Sequence, residues 1–337
     1  MLQTIHTLLS KQYAKLYPKE TFIGVAGTSQ ALIAVLSQKY KTVGISNKTF
    51  FRLKPSVKRA IFEVDNDLSF IRPKIGIILG DLDSEELIEN LPPDGLAILN
   101  WDDVKSKKLA DKCKGEVVYF GTDPEACLIW ASNVNIENYK TVFELNYGVE
   151  KIKVNYPLLG MHQIYPALAS ATLGIIEKIP LTRIKLALES LIPSEHGMQA
   201  IVGPNGSVIL DDTFNSSPIA CEAAIDTLMR VPARRRIVVL GEMGEFGEHS
   251  DILYRSIAQK IYKEKIDLVI LGQGQSEIIA DELKNLGFWE EKIMSDLQSG
   301  QMVGKLLTTL EKGDVCLIKG SRTVRLDEVV TRIAKKI

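Results

Sequence analysis

The feature that most constrains this chain is a rhythm. Short apolar runs rich in β-branched residues return at intervals, with helical or polar stretches between several of them. In the first half the runs fall at 21–26, 42–46, 60–64, 75–79 and 96–100. Strands separated by helix-length segments pair in parallel, so this spacing predicts an α/β domain with a largely parallel sheet. Between 117 and 156 the runs crowd together, at 117–120, 128–131, 141–145 and 151–154, which predicts an antiparallel edge. Helices are expected from Met161 and from Leu181. The second half repeats the α/β rhythm, with strands at 207–210, 237–240, 268–271 and 315–319 and helices at 218–229, 252–262, 276–286 and 304–310. Pro218 suits the first turn of its helix. This half reads as a smaller, doubly wound domain.

A chain of 337 residues, 45% hydrophobic and 25% charged, is too large for one ordinary core and suits two domains. Pro193, Ser194 and Gly197 interrupt helical periodicity, placing the boundary near 192–197 and the domains at 1–197 and 198–337. A net charge of -1 argues against a general nucleic-acid binder or a membrane-surface protein. Residues 1–60 nevertheless hold ten Lys or Arg against one acid, Glu20, a block that either attracts phosphates or forms a solvated face. Cys113, Cys127, Cys221 and Cys316 lack the close pairing of a zinc or redox motif, and a reducing cytoplasm fits them best. Leu2, Ile5, Leu9, Tyr13 and Leu16 give an amphipathic helix rather than a signal sequence, and no apolar run reaches the roughly 18 residues of a membrane span.

Several segments carry candidate chemistry. The run ending at Ala26 continues as Gly27-Thr28-Ser29-Gln30, with Ala31, Leu32 and Val35 at helical spacing. Strand, glycine turn and helix in that order leave backbone N–H groups and a helix dipole facing an anion. A working phosphate loop adds a Lys for the β and γ phosphates and a Ser or Thr for magnesium, where this chain has Ala31 and Leu32. A phosphate site and an ordinary strand-to-helix turn both fit. Asp211 and Asp212 close a strand, where α/β proteins place ligand-binding groups; the alternative is that one of them braces the turn or caps the next helix. The segment 240–248 runs into a glycine-rich loop whose Glu242, Glu245 and Glu248 repel phosphate unless a cation intervenes. Lys319-Gly320-Ser321-Arg322 is a cationic turn suited to carboxylate or phosphate, or a solvated turn. Glu63 fits a magnesium ligand or the partner of a residue such as Arg59. His162, after Gly160, reads as a cap, a packed residue or a catalyst, while His6, His196 and His249 show no partner pattern.

Taken in order, these motifs resemble the Mur ligase family, on the branch that attaches D-alanyl-D-alanine to a UDP-linked muramoyl tripeptide. Residues 158–169 are similar to the family's L-x-G-x-H-N-x-x-N-A-x-A segment at the nucleotide site, and 208–218 to its I-D-D-x-Y-N-A-N-P segment. Residues 238–248 are similar to V-L-G-D-M-x-E-L-G and 315–322 to V-x-V-K-G-S-R, with 60–64 and 91–102 matching earlier strands. The resemblance implies a central P-loop-type α/β domain with a mostly parallel sheet and a smaller Rossmann-like C-terminal domain. Such enzymes use ATP to phosphorylate a carboxylate, and an amine then attacks the acyl phosphate to form an amide. Carried over, it assigns Glu63 and His162 to catalysis and Glu63 to magnesium. Gly27, Thr28, Ser29, Asp211 and Asn215 fall to the nucleotide, and Asp212, Lys319, Ser321 and Arg322 to the substrate.

The departures gather on phosphate handling. The family's T-G-T-x-G-K-T reads Ala26-Gly27-Thr28-Ser29-Gln30-Ala31-Leu32, which places the expected cofactors, ATP and magnesium, in question. The carbamylated Lys of relatives aligns with Ser84, Gln163 and Pro166 replace two Asn, and Gly197 stands where an Arg near the γ phosphate is expected. About 20 residues precede the glycine turn, so the domain that takes the UDP end of the substrate is expected to be missing. Lys48 or Lys54 are the candidates for a compensating cation. The expectation is a binding or regulatory pseudoenzyme of cell-wall precursor metabolism, taking a nucleotide or peptide-like small molecule and a protein partner, with no nucleic acid and no membrane insertion. The rival is an active amide ligase with a rearranged nucleotide site.

Overall fold

The computed structural model describes residues 22–45, 56–63, 73–79, 85–244 and 250–334. The expected helix at 1–16, His6, Lys48, Lys54, Ser84, Glu245, Glu248 and His249 lie outside the described residues. The described chain forms two compact units. One takes in residues up to 134 with 142–157 and 163–191; the other takes 135–141, 158–162 and the chain from 192 onward.

One sheet carries strands β1 (Phe22–Ala26), β2 (Thr42–Ile45), β3 (Arg59–Glu63), β4 (Ile75–Ile78), β5 (Leu96–Asn100), β6 (Glu116–Gly121), β7 (Ile129–Glu137), β8 (Lys140–Tyr147) and β9 (Glu150–Tyr156), in the order β2-β3-β1-β4-β5-β6-β7-β8-β9; apart from the β7–β8 tip at 135–141, these strands belong to the first unit. Pairing is parallel from β2 through β7. β1 is buried along its whole length, as an inner strand of a parallel sheet covered on both faces must be. The antiparallel edge begins later than the crowding of runs suggests, because β6 and β7 pair in parallel at Phe120↔Ile129 and Gly121↔Trp130. It starts with the β7–β8 hairpin, whose two-residue turn sets Asn138 (φ 49) and Tyr139 (φ 57) in the left-handed region. Helices α1 (Gln30–Leu36), α2 (Glu85–Glu89), α3 (Val104–Lys108), α4 (Ile164–Ile176) and α5 (Leu181–Glu189) complete the unit. Arg59 pairs not with Glu63 but with Glu177, whose carboxylate also accepts from the Tyr40 hydroxyl at 2.8 Å.

The second unit carries β10 (Gln199–Val202), β11 (Val208–Asp212), β12 (Arg236–Leu240), β13 (Leu268–Gly272), β14 (Ile293–Leu297) and β15 (Val315–Lys319), ordered β10-β11-β15-β12-β13-β14. β10 is antiparallel to β11 and the remaining pairs are parallel. Alternate side chains serve two cores. Leu210, Val238, Val269 and Leu317 face α6 (Pro218–Arg230), α7 (Ser250–Lys263) and α8 (Glu277–Asn285), while Ile209, Val239, Ile270 and Ile318 face α9 (Ser299–Thr309) and α10 (Leu326–Ile333). The sheet is therefore doubly wound, with helices on both faces. α6 opens as expected, with Pro218 in its first turn and Ser217 Oγ accepting from Ala220 N at 3.2 Å.

Three elements of the second unit were not anticipated. β10 and β14 are edge strands with partly exposed, mixed sequences, so neither shows a continuous apolar run. α10 buries Leu326, Val329, Val330 and Ile333, a helical spacing visible once the preceding turn is known. α9 starts at Ser299 rather than 304, because Gln298 and Gln301 form a reciprocal capping box before Gly304.

Candidate functional site

In the first unit the expected phosphate turn follows β1. Gly27 has φ +129, and a Cβ there would come within 2.7 Å of the Leu79 side chain, so both conformation and space call for glycine. Thr28 is exposed. The Ser29 N–H and hydroxyl both donate to Glu63 Oε1, at 2.9 and 3.0 Å. Glu63 ends β3, in register with Val25 of β1, which brings its carboxylate to this turn. The acid expected to serve catalysis and hold magnesium is thus bonded to the turn itself and puts a negative charge there. Ala31 and Leu32, at the Lys and Thr positions, are 2% and 1% exposed and sit on the buried face of α1. A magnesium ion does not fit these residues: the hydroxyl ligand is replaced by a buried Leu, and one Glu63 oxygen is occupied by Ser29. Among the described residues no three His, Cys, Asp or Glu side chains converge on a metal position.

In the second unit the expected residues gather at the carboxyl ends of β11, β12 and β15. Lys319, 2% exposed, sits opposite Asp212 in the β11–β15 register and donates to Asp212 Oδ2 at 2.6 Å and to the Asn215 carbonyl at 2.7 Å. A buried ammonium without such partners would carry a prohibitive desolvation cost, so this pair is the electrostatic centre of the unit. His162 follows Gly160, whose φ of +126 turns the chain back on itself. The His162 ring keeps an exposed surface, yet desolvation lowers its pKa from 6.5, opposed by Asp212 and assisted by Lys319. His162 is therefore close enough to feel both charges and is neutral at pH 7. Cys221, buried in the first turns of α6, is pushed up to about 12 by burial, with Lys319 pulling down and Asp212 and Glu222 pushing up. It is an inert packing thiol.

Asp211 takes the bracing role left open above. It is 1% exposed, accepts from Thr213 N at 3.2 Å and Thr213 Oγ1 at 2.7 Å, and meets His196 Nδ1 at 2.8 Å. His196 accordingly has the partner its sequence context did not reveal, and the pairing holds a residue with φ 60 in a left-handed conformation. Gly197 makes a tight turn with Ser194 where the family's Arg is expected. Asn215 is exposed and accepts from Ser216 N through Oδ1 at 2.9 Å, while the Ser216 hydroxyl is buried with no hydrogen-bond partner among the described residues. The Ser321 N–H donates to the Glu242 carbonyl at 2.8 Å, and its hydroxyl shares a 2.8 Å bond with Thr323 Oγ1. The Arg322 guanidinium lies 3.9 Å from the Phe214 ring centre, and its Nε donates to the Phe214 carbonyl at 3.2 Å. Phe214, His196 and Ser216 are the participants that sequence reasoning missed; an aromatic directly after Asp211-Asp212-Thr213 was the available signal for the first.

Two family descriptions match this chain. The family description "Mur ligase middle domain" matches residues 83–174, and "Mur ligase, glutamate ligase domain" matches 198–322. The UDP-N-acetylmuramoyl-tripeptide--D-alanyl-D-alanine ligase of Buchnera aphidicola subsp. Baizongia pistaciae is 29% identical over 259 residues, covering 75% of this chain and 54% of the relative. The enzyme of that name from Synechocystis sp. is 26% identical over 347 residues, covering 92% and 72%. The chain spans about half the length (54%) of the first curated relatives it matches. Among solved structures, MurF from Acinetobacter baumannii superposes with a TM-score of 0.85 at 16% identity, covering 98% of this chain and 80% of that one. MurF ligase from Thermotoga maritima in complex with ADP gives 0.80 at 19% identity, covering 98% and 83%.

Proposed function

The chain belongs to the Mur ligase family, and from that premise we propose that it is a binding or regulatory relative linked to cell-wall precursor metabolism, with ATP-dependent ligation weak or absent. The observation that carries this reading is the burial of Ala31 and Leu32, at 2% and 1% exposure. Ala31 carries no ammonium to reach a triphosphate, and Leu32 supplies no ligand for magnesium. The Glu63 carboxylate on Ser29 works in the same direction, since it repels the anion the turn would otherwise attract. Removing a single oriented charge-stabilising group commonly lowers a rate roughly 100-fold or more, so losing the lysine and the magnesium ligand together leaves little ligation.

In this reading residues 1–197 form the degenerate nucleotide half and 198–337 the half that recognises a substrate-like molecule. Asp212, Lys319, Ser321 and Arg322 make up the recognition end, for a peptide-like or nucleotide-derived ligand, and a protein partner supplies the regulatory output. The cytoplasm is the compartment where such precursors and four free cysteines belong.

One observation favours an active amide ligase instead. The Asp212–Lys319 pair is built and buried, with His162 held neutral beside it, an arrangement able to orient an incoming group. Calorimetry of the purified chain with ATP and magnesium, followed by an assay for amide formation, separates the two. No heat at millimolar ATP and no product are expected; micromolar binding with ATP-dependent product would sink the proposal in favour of the ligase.

A further inference from the structure

We propose that Phe214 is a positioning residue for Arg322, fixing its guanidinium as a receptor for a carboxylate or phosphate group at the carboxyl end of the second unit's sheet. The inference rests on the recognition role proposed above for the 319–322 turn and adds how that turn is made ready.

Of the two cations in the turn, Lys319 is already neutralised by Asp212 and the Asn215 carbonyl, which leaves Arg322 as the available charge. An exposed arginine samples many rotamers, and ordering it on binding weakens affinity. Arg322 is ordered in advance. Its guanidinium is stacked 3.9 Å from the centre of the Phe214 ring, and Nε is engaged by the Phe214 carbonyl. Among the described residues the Nη1 and Nη2 hydrogens have no partner, and they form the fork that matches a carboxylate or phosphate.

Phe214 is itself anchored rather than loose. Its N–H donates to the His196 carbonyl at 3.0 Å, and the His196 ring is held by Asp211, which is 1% exposed and tied to Thr213. A line of contacts therefore runs from a buried carboxylate, through a histidine in a left-handed conformation, to the aromatic platform beneath the arginine. At 49% exposure the Phe214 ring contributes little to either core, so its position serves the arginine and not the packing.

The test follows the Arg322 Nε–H resonance of the full chain by nitrogen-edited NMR, assigned through Arg322→Lys. Succinate and inorganic pyrophosphate are the probes for the two oxyanion classes. In the unsubstituted protein and in Phe214→Tyr, Nε is expected to be rigid by heteronuclear NOE and to shift on titration. A response to succinate alone identifies a carboxylate receptor, and a response to pyrophosphate alone a phosphate receptor. In Phe214→Ala, and in the bulkier control Phe214→Leu, the NOE falls and the affinity drops roughly fivefold. An Nε that stays rigid with unchanged affinity in both variants overturns the positioning role while leaving the receptor intact. Neither probe moving the resonance at tens of millimolar overturns the receptor, and with it the recognition role of the turn.

Discussion

Replacing Asp212 with Ala should destabilise the second unit far more than removing the cation it faces. Lys319 is 2% exposed and has two acceptors, Asp212 Oδ2 at 2.6 Å and the Asn215 carbonyl at 2.7 Å. Without the carboxylate, a buried ammonium is left with one neutral acceptor, and breaking such a pair costs about 3–5 kcal/mol. The Asp212 side chain is 18% exposed, so water partly screens the site and lowers the expected cost to about 2–3 kcal/mol. Lys319→Met removes the charge and keeps the bulk, leaving Asp212 to be rehydrated, at about 1 kcal/mol or less. The double variant should resemble Lys319→Met. Hydrogen exchange of the β11 and β15 amides, measured where opening is in rapid equilibrium, reads this directly, because a loss of about 3 kcal/mol speeds exchange roughly 100-fold. If Asp212→Ala and Lys319→Met accelerate exchange equally, or Asp212→Ala has no effect, the reasoning about the uncompensated charge is wrong.

Restoring the missing residues should not restore the site. Ala31→Lys forces a charge into a position 2% exposed and should lower the melting temperature without measurable ATP binding; micromolar affinity in Ala31→Lys/Leu32→Thr would show that the turn is repairable. His162 should titrate below 6.5 by NMR, with Lys319→Met moving it up and Asp212→Asn moving it down, and the opposite signs would contradict the contacts described. Because its folded pKa is lowered, the stability His162 contributes is complete above the unfolded value of 6.5 and falls away as the pH drops through the folded one. Among the cysteines, Cys113 alone is partly exposed, while burial pushes Cys127 and Cys221 up to about 12 and raises Cys316 further. One thiol should therefore react promptly with a disulfide reagent under native conditions, and prompt reaction of a second would refute the burial of the other three.

What the sequence made legible follows burial on both faces of a sheet. Inner strands such as Phe22–Ala26 and Val315–Lys319 are buried throughout and apolar except for the final Lys319, so their bounds were readable almost to the residue. β10 and β14 carry the mixed composition of edge strands and were invisible to the same reading. The cationic turn at 319–322 and the paired acids at 211–212 could be seen as charged groups at strand ends. Their division of labour could not, because Asp211 is set apart by His196 and Asp212 by Lys319, partners 15 and 107 residues away. The contact between Arg322 and Phe214, separated by 108 residues, is a tertiary fact of the same kind.

The second unit is assembled from separated pieces of chain. Leu159 is part of its core, Ile136 and Tyr139 pack against that core, and Thr141 Oγ1 bonds the Leu158 carbonyl at 2.7 Å. A fragment expressed from residue 198 would contain every helix around its sheet and still lack a piece of its floor. Such a unit is poorly suited to transplantation as a single exon-like cassette: recombination at the obvious break near 192–197 would separate it from the hairpin tip at 135–141 and the turn at 158–162. The integrity of the second unit therefore depends on residues 135–141 and 158–162 being present.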